Sequence, residues 1–149
     1  MPRKETIERA RQDEREGKSP GTQAGEFVKE VIDDIRAGKH GARSAKQAIA
    51  IGLSKARRAG VKVPPPKKGQ VSEETRRKAE RDYQKGKVGG KPSPKRSRAT
   101  RDALKREGTA AASPQALSRQ AHSAAARRSP AERSAAARKA ARTRERNSN

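Results

Sequence analysis

Cysteine and tryptophan are missing from this 149-residue chain, and it has a single Phe, Phe27, and a single Tyr, Tyr83. Without cysteine there is no disulfide framework, no thiolate nucleophile and no cysteine-ligated zinc. Without large aromatics a core must be assembled from Ala, Val, Ile and Leu. Apolar residues make up only 29% of the chain and charged residues 38%, against a usual ~45–50% and ~25%. Most of the sequence therefore gains too little from burial to offset the entropy of ordering. Nowhere is there the run of ~18 apolar residues that a membrane span needs. The N-terminus, MPRKETIERARQDEREG, lacks a signal-peptide apolar run, and its five carboxylates argue against a transit peptide. The expectation is a cytoplasmic protein with no membrane partner.

The reagents of catalysis are almost as scarce. His40 sits in a glycine-flanked loop and His122 in an alanine-rich arm, and neither has a second histidine at ligand spacing. The Gly-Lys pairs at Gly17, Gly38 and Gly86 lack the strand and the following Ser or Thr of a phosphate-binding loop. Glu30, Asp33 and Asp34, flanked by Lys29 and Arg36, read as a solvated helix face. No enzyme activity, metal or cofactor is expected.

Positive charge is what the sequence has in excess. The net charge is +22 and the pI about 11.4. Residues 1–38 carry 8 basic and 9 acidic side chains, whereas residues 39–68 carry 9 basic and no acidic ones. Residues 87–149 hold 17 basic and 4 acidic side chains. Two blocks thus account for nearly all of the excess, and charge so distributed draws a chain to polyanions whatever its fold.

The pattern predicts a mostly α chain: a small antiparallel helical hairpin with additional short helices and long basic arms, disordered or conditionally helical. Residues 1–21 form a charged arm or a helix that is frayed or lightly docked, ended by Gly17 and a Ser19-Pro20-Gly21 turn. The hairpin core spans 22–62. Its first helix is capped by Thr22, gathers Ala24, Phe27, Val28, Val31, Ile32 and Ile35 in one arc, and stops at Gly38. Ser44 and Gln47 fit a capping box that starts the second helix, whose inner face of Ala45, Ala48, Ile49, Gly52, Leu53, Ala56 and Ala59 permits close approach. Phe27, Val31, Ile35, Ile49 and Leu53 are the expected centre. Residues 63–70 are a proline-rich spacer and 71–86 a short charged helix, docked through Val71 and Tyr83. Residues 87–112 read as a flexible basic linker and 113–149 as an Ala/Arg-rich, conditionally helical arm.

On this framework the cations point to nucleic acid. Lys39, Arg43 and Lys46 surround the start of the second helix, where free N–H groups and the dipole favour phosphate. Lys55, Arg57 and Arg58 follow along it with no carboxylate nearby in sequence. In the arm, Lys95, Arg96, Arg98, Arg127, Arg128, Arg138, Lys139 and Arg142 are the candidates. Ser93-Pro94-Lys95-Arg96 resembles the Ser-Pro-basic-basic repeat of linker-histone tails, and the arm's composition is similar to theirs, with Arg favoured over Lys. Unpaired bases need aromatic platforms that this chain lacks, and Asn and Gln for base edges are few. The reading is sequence-tolerant binding of duplex DNA through phosphates, in the manner of a nucleoid-associated, histone-like protein. Two alternatives stay open: a structured-RNA or ribosome-associated protein, and a protein-interaction module whose hairpin docks a partner or forms a homodimer through its small-residue groove, with a solubilising tail.

The blocks KSPGTQAGEFVKEVIDDIRAGKHGARSAKQAIAIGLSKARRAGVKVPPPKKG and SAAARKAARTR resemble an uncharacterised family of small basic bacterial proteins. The resemblance implies a bacterial cytoplasmic setting and supplies no activity, cofactor or site.

Overall fold

The structure, a computed structural model, describes residues 2–91 and 93–148; Met1, Pro92 and Asn149, which fall in the N-terminal arm, the linker and the C-terminal arm, lie outside the described residues. Within them are seven α-helices and no strand: α1 (Lys4–Arg15), α2 (Pro20–Arg36), α3 (Ala45–Arg58), α4 (Glu73–Val88), α5 (Pro94–Lys105), α6 (Pro114–Ala126) and α7 (Pro130–Ser148), with a 3₁₀ turn at Ala110–Ala112. The mostly α architecture with a central hairpin is the expected one. Among the described residues, no helix is long and apolar enough to cross a membrane.

The α2–α3 hairpin is the centre. Ala24, Phe27, Val31 and Ile35 of α2 are buried against Ala45, Ala48 and Ala56 of α3. Gly52 sets how close the helices come: a Cβ there would stand 2.6 Å from the Cα of Val28. The small-residue groove of α3 is thus filled by α2 of the same chain. Gly38, at φ 75, ends α2 in the left-handed conformation that favours glycine. Ser44 starts α3 as its N-cap, accepting from the Gln47 N–H at 3.1 Å, while Gln47 Oε1 accepts from the Arg43 N–H at 2.6 Å.

Four features depart from the expectation. First, α2 begins at Pro20, not after Thr22. Ser19 is its N-cap, accepting from the Thr22 N–H at 3.3 Å, and Pro20 takes the first helical position, where a missing N–H costs nothing. Second, α1 is packed, with Thr6, Ala10 and Asp13 buried. Ala10 joins the cluster of Ala24, Phe27 and Ala56 with Ile7 packed on it, and ion pairs engage carboxylates of the α2 face that reads as solvated. Arg9 meets Glu26 at 2.7 Å, Arg3 meets Asp34, and the Arg3 N–H donates to both carboxylate oxygens of buried Glu30 at 3.3 Å. Third, Ile49 is only partly buried, and Ile51 packs on the core instead. Fourth, the stretch read as linker closes the core from outside the hairpin. Ala111 and Ala112 are buried with Val31, Ile35, Ala42 and Ala48. The segment is tied in by Gly41 N–H to Leu104 O at 2.8 Å, Ala42 N–H to Gly108 O at 3.0 Å and Arg36 Nε to Ala112 O at 2.9 Å. Ile51 packs against the cluster that this layer completes.

Helix α4 lies against α3 through Ala79, Asp82 and Gly86, not chiefly through Tyr83. A Cβ on Gly86 would overlap the carbonyl oxygen of Arg57. Asp82 accepts from Ser54 Oγ at 2.5 Å. Tyr83 is half-buried, with Lys87 Nζ 4.6 Å from its ring centre.

Candidate nucleic-acid interface

The fold places the candidate cations of α3 and of the loop before it in different surroundings. Arg57 is turned inward and buried, its Nε donating to Val63 O at 3.2 Å and its Nη2 to Pro64 O at 3.1 Å. Those bonds hold the extended Val61–Pro66 segment along the end of α3, where Val61 and Val63 cover Phe27, Ala56 and their neighbours. Proline runs leave carbonyls without helical or sheet partners, and a buried guanidinium supplies donors to two acceptors at once. Arg57 is therefore engaged in structure, and burial lowers its pKa despite the Asp82 charge.

Lys39 and Arg58 are exposed but paired. Lys39 Nζ lies 3.4 Å from Asp34, and Arg58 Nε lies 3.8 Å from Asp82. Asp34 stands only five residues before Lys39, whereas Arg58 has no carboxylate near it along the chain and receives Asp82 from α4. Lys55 is half-buried; desolvation lowers its pKa, Glu30 and Asp34 oppose that, and Arg58 and Arg101 reinforce it. The positive field of α3 is thus largely balanced over its C-terminal half.

Its N-terminal end is different. Arg43 and Lys46 are exposed, and with Arg119 of α6 they line an open cleft of about 470 Å³. Ala45, Ala110, Ala111 and Ala116 line the same cleft, and no carboxylate does. Helix α6 reaches this position because Ser113 caps it, accepting from the Ala116 N–H at 3.1 Å, directly after the buried Ala111–Ala112 pair. Three cations then surround the start of α3, whose dipole adds partial positive charge. Sequence reasoning misses Arg119. The signal was the Ser113-Pro114 helix start, which fixes α6 to the core instead of leaving it in the arm.

The remaining candidates are on exposed helices. Lys95, Arg96 and Arg98 are exposed on α5, which buries no residue. Arg127 and Arg128 lie between α6 and α7, with Arg128 Nε 4.0 Å from Glu132. Arg138, Lys139 and Arg142 are exposed on α7, which likewise buries none. At 100° per residue, Arg138, Lys139, Arg142 and Arg146 fall within roughly a quarter of the circumference of α7, making a basic row a little over two turns long. Among the described residues no cluster of three His, Cys, Asp or Glu could hold a metal ion.

Comparison with known proteins yields little beyond the hairpin. No curated protein and no solved structure matches the chain. Residues 15–68, from the end of α1 to the close of the proline-rich segment, match a family of unknown function, DUF6496.

Proposed function

We propose that this chain binds duplex DNA through its phosphates, without reading base sequence, as a nucleoid-associated protein of a bacterial cell. The observation that carries the reading is the arm. Residues 87–149 hold 17 basic against 4 acidic side chains, and α5, α6 and α7, which contain most of them, bury no residue. Arginines on helices that bury no residue repel one another, and a phosphate polymer is the partner that removes the repulsion while supplying paired acceptors. The cleft between α3 and α6 adds a second anchor on the domain.

Binding of this kind has no catalytic step and needs no cofactor. A mobility assay in low-salt buffer, with duplex DNA competed against duplex RNA, tests it. The expected result is retention of duplex DNA irrespective of sequence. Preference for the RNA moves the reading to a structured-RNA protein, and indifference to both ends it.

A further inference from the structure

The last turn of α7 returns to the opposite end of the chain. Asn147 Nδ2 donates to the carbonyl oxygen of Glu16 at 3.0 Å, across 131 positions of sequence. Beside it the Arg146 guanidinium lies over Gly17, so closely that a Cβ at residue 17 would stand 2.5 Å from Nη2. Gly17 also has φ 74, so the turn needs glycine for its backbone as well as for the space.

The surface that receives these two side chains suits a cation. It is the C-terminal end of α1, where the helix dipole is negative. Asp13, Glu14 and Glu16 are there, against Arg15 and Lys18. Lys18 Nζ pairs with Asp13 at 2.8 Å and Glu16 at 2.9 Å, so one lysine already serves two of the three carboxylates. No residue of α7 is buried, and exposed Arg146 and Asn147 make the contacts that bring its last turn to the domain.

We propose that the Asp13–Lys18 turn is a docking surface for the arm's own last turn, and that a phosphate polymer competes for it. Arg146 belongs to the same row as Arg138, Lys139 and Arg142, so a duplex lying along that row draws Arg146 away from Gly17. One exposed hydrogen bond and one exposed cation contact make a weak, salt-sensitive closure that a polyanion can open. The competition rests on the phosphate-binding reading; the docking does not.

The test uses the full chain, whose lack of cysteine lets spin labels be placed cleanly at Arg11→Cys and Ala141→Cys. The free protein is expected to give a short, narrow distance between labels. An excess of a short DNA duplex is expected to abolish it. Asn147→Leu, which leaves the charge unchanged, is expected to remove most of the short-distance population without duplex. If about half of the free molecules are closed, that variant also tightens the apparent affinity for duplex about twofold. Absence of a short distance in the free protein overturns the docking. A short distance that persists while duplex is demonstrably bound overturns the competition. If no polynucleotide binds but Asn147→Leu still removes the short distance, the docking surface stands and the phosphate reading with its competition falls.

Discussion

Helices α2 and α7 are of similar length and lie at opposite extremes of packing. In α2 an entire side is buried, with Phe27, Val31 and Ile35 almost inaccessible, and even its carboxylates are engaged by α1. In α7 no residue is buried, and its helical state rests on the propensity of Ala and Arg against the mutual repulsion of its cations. Tertiary contacts stabilise the first, and local preference holds the second until a partner arrives. The difference shows how one chain with so little apolar material can be helical almost throughout: its core is spent on one hairpin and its covering layers, and the arm carries charge.

Substitutions that probe this difference should separate the two regions sharply. Phe27→Ala removes the largest buried side chain and is expected to cost about 3–5 kcal/mol in urea unfolding. Ala137→Gly in α7, which costs a helix interior about 1 kcal/mol locally, should leave that unfolding midpoint unchanged. An equal effect of both would show that α7 is part of the cooperative unit.

Truncation sharpens the boundary. A chain ending at Ser113 keeps Ala111 and Ala112 and should melt as the full chain does. One ending at Val88 loses both, uncovers Val31 and Ile35, and should be less stable by about 2–4 kcal/mol on area grounds. Equal melting of the two would place the 104–112 layer outside the folded unit.

Arg57 in α3 and Arg43 just before it divide in the same way. Arg57→Ala should cost about 1–3 kcal/mol of stability through two lost charge-assisted bonds to Val63 and Pro64. Arg43→Ala should change stability by less than about 0.5 kcal/mol and weaken duplex binding, reducing the magnitude of the salt slope by about 1. The reverse pattern would mean that Arg57, not Arg43, faces the phosphates.

Lys55 gives the smallest effect. Its folded-state pKa is lowered by burial, so the penalty on its charge is full below that pKa and is relieved as pH rises through it toward the ordinary 10.5. Lys55→Met should therefore stabilise slightly at neutral pH, with the gain shrinking toward pH 10.5 in thermal melts. A gain that grows with pH would contradict the sign.

The hairpin was legible because its signals are local: a 3.6-residue stripe in α2, small residues at four-residue spacing in α3, and Gly38 and Ser44 at the junction. The layers over it were not. Helix α1 offers only Ile7 and Ala10 as apolar signals, which do pack on the core, and Arg3 and Arg9 add ion pairs that no periodicity encodes. Ala111 and Ala112 sit among Gly, Thr and Ser, so a buried alanine pair reads as linker until its partners 60 to 80 residues away are known. For the interface, Arg43 and Lys46 stay exposed as expected. Arg58 acquires a carboxylate neighbour from α4, which a count along the sequence cannot reveal, while Lys39 turns back on Asp34 five residues before it.

Salt dependence of duplex binding tests the central claim most directly, compared between the full chain and the chain ending at Ser113. With about eight phosphates neutralised, log K for the full chain should fall with log salt at a slope of about −7, and the truncated chain should give a distinctly shallower slope. A full-chain slope shallower than about −2, or no change on removing α6 and α7, would contradict a grip made by the arm's cations.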